Sequence, residues 1–258
     1  MSMYFKLLFF GTLLACTGCF DITEELWLNK NRSGRFEMSV SMTSGPFMSM
    51  LRMAQDKTND SLRALGLPPR SIDTLVRLGD LPDSLKKRFP HPAVLDGIVL
   101  QAKMERGFNF RFQYDFQRIE DLPLFWEALN TLDQLKKDST VQGLEALNLP
   151  GMEGSSGSMM AGLPDMQFDG KTLRRTSLPD STNQESTLAF FDKDNENDPF
   201  LKMMFRDKKY RLVFHLPKKV KTVEGTGFTT NGKDVTGEFL MLDVVRDRTK
   251  LSCAISTK

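Results

Sequence analysis

The sequence predicts an α+β fold in which antiparallel β-hairpins form one or two sheets and helices pack on one face. Two patterns predict this fold class. Several pairs of segments alternate apolar and polar residues on either side of a short turn, which is typical of hairpins with one buried face. Other regions repeat their apolar residues every three or four positions, as amphipathic helices do. Of the 258 residues 40% are hydrophobic, including 20 Phe, so the chain can bury a sizeable core.

A first hairpin is predicted near the N-terminus. Apolar residues occupy alternate positions over residues 20–28, except that Glu24 stands where an apolar residue is expected. The stretch Asn29–Gly34 is rich in turn residues, and the alternation resumes over residues 36–42. We therefore expect two antiparallel strands joined by a tight turn.

Residues 44–96 contain short helical patterns interrupted by Pro and Gly. Pro46 suits the first turn of a helix, where its missing N–H costs nothing. The predicted helices cover residues 46–54, 62–65, 72–78 and 81–89. The first of them contains Met48, Met50 and Met53, which either fill the core or form an adaptable binding surface.

The clearest alternation lies in a second hairpin, over residues 98–104 and 108–116. One face of its second strand is entirely aromatic: Phe108, Phe110, Phe112, Tyr114 and Phe116. Such a stripe is usual in a hydrophobic core. It is also the candidate ligand-binding site, because a cavity lined by these rings and closed by the Met-rich helix would accept an acyl chain.

The second half of the chain changes character twice. The spacing over residues 120–137 predicts a longer helix lying across the sheet. A Gly/Ser-rich flexible loop follows, and strand patterns then return, with a hairpin turn at Asn231-Gly232 and a closing strand at 251–256. The predicted organisation is a signal peptide (1–18), an N-terminal α+β region (19–137), the flexible loop (138–170) and a mostly β region packed in the same domain (171–258).

The leader and the cysteines set the expected location of the chain. Residues 1–18 have the basic start and the apolar stretch of a secretory signal peptide, and the stretch is too short to cross a bilayer. Beyond them only Cys19 and Cys253 remain, so no disulfide framework is expected. Cys253 is expected to be a small buried residue.

The end of the leader carries a resemblance to known proteins. Thr17-Gly18-Cys19 resembles the lipobox of bacterial lipoproteins, although Cys16 replaces the usual leucine. The resemblance implies that Cys19 becomes the first residue of the mature protein and carries acyl chains such as palmitate. Residues 19–34, with Glu24-Glu25 and the Asn29–Gly34 turn, are similar to the start of a group of uncharacterised lipoproteins common in Bacteroidota. That group has no assigned activity, so it implies no catalytic residue.

No motif for catalysis, for a metal or for a cofactor is present in the sequence. His91 and His215 are the two histidines, and no spacing pairs them as ligands. Residues 192–198 look like a calcium loop but lack the glycine at its sixth position and the glutamate at its twelfth. The net charge of +2 gives no overall field for nucleic acid. We therefore predict no metal, no cofactor and no nucleic-acid partner.

Together these features predict a protein of the bacterial cell envelope that is held at a membrane by the lipid on Cys19. Its predicted role is non-enzymatic, either binding a protein or lipid partner in the periplasm or at the surface, or supporting the envelope. Phe20 stands where some lipoproteins carry the aspartate that retains them in the inner membrane, which favours the outer membrane. Two alternatives stay open: a lipid carrier that uses the aromatic face, and a hydrolase whose site the sequence does not reveal. Because strand alternation starts at Phe20, the lipid is expected to orient the body as well as hold it.

Overall fold

The computed structural model describes residues 20–43, 46–66, 68, 72–104, 107–137, 164–177 and 207–258. The described strands are β1 (Phe20–Leu28), β2 (Gly34–Met42), β3 (Asp73–Arg77), β4 (Ile98–Met104), β5 (Phe108–Phe116), β6 (Asp165–Phe168), β7 (Thr172–Thr176), β8 (Lys209–His215), β9 (Val220–Glu224), β10 (Phe228–Asn231), β11 (Asp234–Leu240) and β12 (Cys253–Thr257). The described helices are α1 (Pro46–Ala64), α2 (Asp83–Lys86), α3 (Leu122–Lys137) and α4 (Met241–Arg246), together with 3₁₀ turns at Leu78–Asp80, Pro92–Gly97, Ile119–Asp121 and Arg248–Leu251.

The larger sheet joins the two ends of the chain. Its eight strands lie in the order β10-β11-β8-β1-β2-β5-β4-β3. Within this sheet β1 and β8 pair in parallel, and every other neighbouring pair is antiparallel. The predicted α+β class with antiparallel hairpins is confirmed, and the parallel pairing adds the C-terminal strands β8, β11 and β10 to the sheet on the open side of β1.

The inner face of the large sheet is covered in two parts. Over β2 and β5 lies α3, whose Phe125, Leu129 and Leu132 are fully buried. Over β1 and β8 lies a smaller sheet in the order β6-β7-β12-β9. One hydrophobic cluster runs through both parts, since residues of α3 and of the smaller sheet belong to it together. The polar residues of β2 and β5 lie on the outer face.

Several predicted elements are confirmed. The hairpin of β1 and β2 pairs over its whole length, and the aromatic hairpin forms β4 and β5. The turn after Asn231 closes β10 onto β11 with Gly232 at φ 66°, a conformation that glycine adopts without strain. The predicted loop is described only at its end, where residues 165–168 form β6; the calcium-like stretch lies outside the described residues.

Two helix predictions are wrong. Residues 72–78 were expected to form a helix, yet Asp73–Arg77 is the edge strand β3. Its side chains alternate between exposed and half-buried, and pairing with β4 outweighs the helix-start and helix-stop signals around it. The other error concerns Pro46–Ala64, which is one helix rather than two, and Gly66 at φ 71° follows its end.

Candidate functional site

The candidate site is the strand that follows the predicted lipidation site. Cys19 itself lies outside the described residues, and β1 begins at the next residue, Phe20, as the alternation predicted. This strand is fourth of eight in the large sheet and pairs along its length with β2 on one side and β8 on the other. The backbone N–H of Lys209 also donates to Asp21 Oδ1 at 3.1 Å, close to the start of the strand. A chain that leaves position 19 therefore enters the centre of a sheet.

Glu24 links β1 to the smaller sheet. Its carboxylate is 5% exposed and lies on the inner face, where Nη2 of Arg175 donates to Oε2 at 2.9 Å and the Tyr210 hydroxyl donates to Oε1. Arg175 comes from β7, is 2% exposed, and also donates from Nη1 to the Leu251 carbonyl at 2.9 Å. The exception in the apolar alternation of β1 is thus one half of a buried ion pair that crosses between the sheets.

The protonation states of this cluster follow from its burial. Burial opposes the charge on Arg175, but the neighbouring Glu24 carboxylate outweighs it and raises the pKa of Arg175, so the guanidinium stays charged. Burial and the same carboxylate raise the pKa of Tyr210 well above its ordinary value, which keeps the phenol protonated as a donor. One buried side-chain polar atom among the described residues lacks a hydrogen-bond partner, and this atom is Nε of Arg175.

Glu25 makes the corresponding link on the outer face. His215 of β8 lies between two carboxylates, with Nε2 at 2.7 Å from Glu25 Oε1 and Nδ1 at 2.8 Å from Asp234 Oδ1. Its ring stacks on Trp27 with centroids 5.1 Å apart. Burial lowers the pKa of His215, but its hydrogen bonds to the two carboxylates and their charges together raise it above the ordinary value. Both ring nitrogens face acceptors, which favours the doubly protonated imidazolium.

The predicted ligand-binding rings lie on the inner face of β5 and are 2–7% exposed. Phe125 of α3 stacks on Tyr114 with centroids 5.2 Å apart, and Phe110 meets Phe112 edge-on at 4.4 Å. The helix α3 therefore contacts the face that was expected to line a cavity for an acyl chain. A groove of about 300 Å³ lies at the outer face of this region, and Glu37, Gln101 and Arg111 contribute to its lining. Lipid binding by the aromatic face stays a prediction.

The described residues contain further side chains of the types that bind metals or react as nucleophiles. No group of three His, Cys, Asp or Glu side chains in this part of the chain could hold a metal ion. Cys253 is a free, buried thiol, as predicted, and burial raises its pKa to about 11, which makes it a poor nucleophile. His91 is exposed, with Nε2 at 3.6 Å from Glu127 Oε2. No helix among the described residues has the length and apolar character needed to cross a bilayer.

Comparison with known proteins finds only remote likeness, among solved structures. No protein-family model and no curated protein matches the chain. A solved structure with a similar course of the chain is the folded domain of the LppM protein of Mycobacterium tuberculosis, at 9% identity and a TM-score of 0.40, over 93% of this chain and 91% of that one. A likeness at this level supports no argument about function. The similarity to Bacteroidota lipoproteins, predicted from residues 19–34, is not supported by these comparisons.

Sequence reasoning found β1 but missed the partners that hold it. Glu24 stood out as a charged residue in an apolar series, and a charge at such a position needs a buried cation, but no ion pair was predicted there. Nothing local identified Arg175 as the cation, because 151 positions separate the two residues. Glycine is required at position 34 of the turn motif for steric reasons, because a Cβ there would lie 2.0 Å from the Trp27 carbonyl oxygen.

Proposed function

We propose that this protein is a lipid-anchored protein of the bacterial cell envelope that holds a rigid binding or structural body at the membrane. The observation that supports the proposal most is the start of β1 at Phe20, directly after the lipobox cysteine. Since β1 lies in the interior of the large sheet, a lipid on Cys19 would be joined to the body without a flexible spacer. The position and the orientation of the body would then both follow from the anchor.

The partners and the location belong to the same proposal. The membrane is the first partner, because two or three acyl chains hold a protein stably whereas one chain is marginal. Phe20 in place of aspartate favours the outer membrane. The lipid-carrier alternative would be supported by lipid bound to the acyl-free chain in native mass spectrometry, and the hydrolase alternative by turnover of an ester or glycoside substrate.

The anchor is tested by substituting Cys19 or Cys253 and labelling cells with radioactive palmitate. Cys19→Ser should abolish labelling and leave an unprocessed precursor, because Ser supplies no thiol for acylation. Cys253→Ser is the matched control, and it should be labelled and fractionate with the membrane as the unaltered protein does. Full labelling of the Cys19→Ser protein would show that the proposal is wrong.

A further inference from the structure

Lysine side chains gather at the end of the molecule opposite the start of β1 at Phe20. They come from the β1–β2 turn, the β6–β7 turn, the β8–β9 connection, the second residue of β9, the β10–β11 turn and the chain after β12. The set, here called the basic rim, is Lys30, Lys171, Lys218, Lys219, Lys221, Lys233 and Lys258. Since β1 has nine residues and rises roughly 3.3 Å at each, this end lies about 30 Å from the start of β1 at Phe20.

Backbone hydrogen bonds bring the separate segments of the basic rim together. The N–H of Lys258 donates to the Lys219 carbonyl at 2.9 Å, and the N–H of Thr257 donates to the Lys171 carbonyl at 2.8 Å. The N–H of Leu216 donates to the Lys233 carbonyl at 3.1 Å. The turn that contains Lys30 joins them because Arg32 Nη2 donates to the Asp169 carbonyl at 3.3 Å, two residues before Lys171.

The charges of the basic rim are not neutralised by ion pairs within the described residues. Among the described residues, no carboxylate pairs with any of its ammonium groups. By contrast Arg35, Arg111 and Lys209 on the large sheet each have a carboxylate within 3.5 Å.

The acidic groups at the same end are already engaged. Asp169 accepts from the backbone N–H groups of Lys171 and Thr172, which lowers its pKa. Glu120 lies between Arg32 and Arg118, at 3.9 and 3.6 Å. Asp234 pairs with His215. The end therefore presents an excess of positive charge on exposed side chains.

From this charge and its position we propose that the basic rim docks on an anionic lipid surface. Protein interfaces are depleted in lysine and have an apolar centre, whereas the large apolar side chains exposed on this protein are Met53, Leu65, Leu75 and Leu240 within the described residues, and none belongs to the rim. Lysine clusters of this kind are attracted by phospholipid headgroups. If Cys19 is lipidated, as proposed above, the lipid surface belongs to a second membrane, because the rim lies at the end away from the anchor.

Protection of a sheet edge accounts for only part of the basic rim. The strand β9 is an edge of the smaller sheet, and lysines on an edge strand discourage pairing with another chain. That role suits Lys219 and Lys221. It gives no reason for Lys30, Lys171 or Lys233, which lie in turns of other strands.

The proposal is tested by sedimentation with vesicles, using the mature chain that starts at residue 19 and carries Cys19→Ser. We expect binding to phosphatidylcholine vesicles that contain phosphatidylglycerol, no binding to pure phosphatidylcholine, and loss of binding in about 1 M salt, where the Debye length is roughly 3 Å.

The variant Lys171→Gln/Lys219→Gln/Lys233→Gln should bind about 100-fold more weakly, at about fivefold for each charge. Arginine at the same three positions should preserve binding. The matched control is Lys57→Gln/Lys86→Gln/Lys87→Gln, which removes as many charges elsewhere and should bind as before.

Equal binding by the rim variant and the control would overturn the proposal, as would retention on polyglutamate without binding to anionic vesicles. A second arm places the acylated protein in phosphatidylcholine vesicles and adds separate anionic vesicles. Aggregation of the two kinds of vesicle, measured by light scattering, would support docking on a second membrane. Absence of aggregation would overturn the inference that the docked surface belongs to a second membrane. Binding of the acyl-free chain to anionic vesicles, together with failure of palmitate labelling, would support docking by the basic rim and reject the lipid anchor on Cys19. The two proposals can therefore fail independently.

Discussion

Two adjacent glutamates of β1 hold different parts of the chain. Glu24 faces inward to Arg175 of the smaller sheet, and Glu25 faces outward to His215 of β8. Because neighbouring side chains of a strand point to opposite faces, one dipeptide reaches both partners. The inner pair is fully desolvated and the outer pair is about one-third exposed, so the consequences of breaking them differ in kind.

Replacing Arg175 by Met should lower the free energy of unfolding by about 3–5 kcal/mol, because Glu24 would keep a buried charge without a counter-charge. The double variant Glu24→Leu/Arg175→Met should recover most of that loss. Urea unfolding of the purified variants measures both values. The neighbouring Arg174 is exposed and serves as the control, and a comparable loss in Arg174→Met would contradict the explanation.

His215 should make stability depend on pH. The pKa of His215 is raised in the folded protein by Glu25 and Asp234, so its protonated form stabilises the fold fully below the unfolded pKa of about 6.5. That contribution is lost as the pH rises through the higher folded pKa. His215→Gln should flatten this part of the profile of unfolding free energy against pH. An unaltered profile in the His215 variant would refute the assignment.

At the scale of elements, α3 determines how the aromatic face of β5 is used. Its Phe125 stacks on Tyr114 and meets Phe36 of β2 edge-on, which ties the helix to two strands of the large sheet. The helix α1 differs, because Met48 in its first turn is buried whereas Met53, one turn later, is 64% exposed.

Truncating Phe125 to Ala should therefore cost about 3–5 kcal/mol of stability, from lost apolar burial and the cavity left behind. Met53→Ala in the exposed part of α1 should change stability by less than about 0.5 kcal/mol. Calorimetry or urea unfolding distinguishes the two variants. A small effect of Phe125→Ala would mean that α3 is loosely held and would favour an open aromatic face.

For the whole molecule, hairpins could be predicted and distant pairings could not. Periodicity and turn residues specify β1 with β2 and β4 with β5, because those partners are neighbours in sequence. The same periodicity shows only that a strand such as β8 has a buried face, and many partners would satisfy that requirement. Within the basic rim, only Lys218, Lys219 and Lys221 are neighbours in sequence, since its other lysines are brought together by the fold.

The central place of β1 also has a mechanical consequence. A pull on the N-terminal end of β1, along its axis, loads the ladders to β2 and β8 in shear, because their hydrogen bonds run across the strand. Many bonds must then yield together, whereas a strand pulled away from an edge opens them one after another. A body tethered at Cys19 and held at its far end would therefore bear tension through its strongest direction.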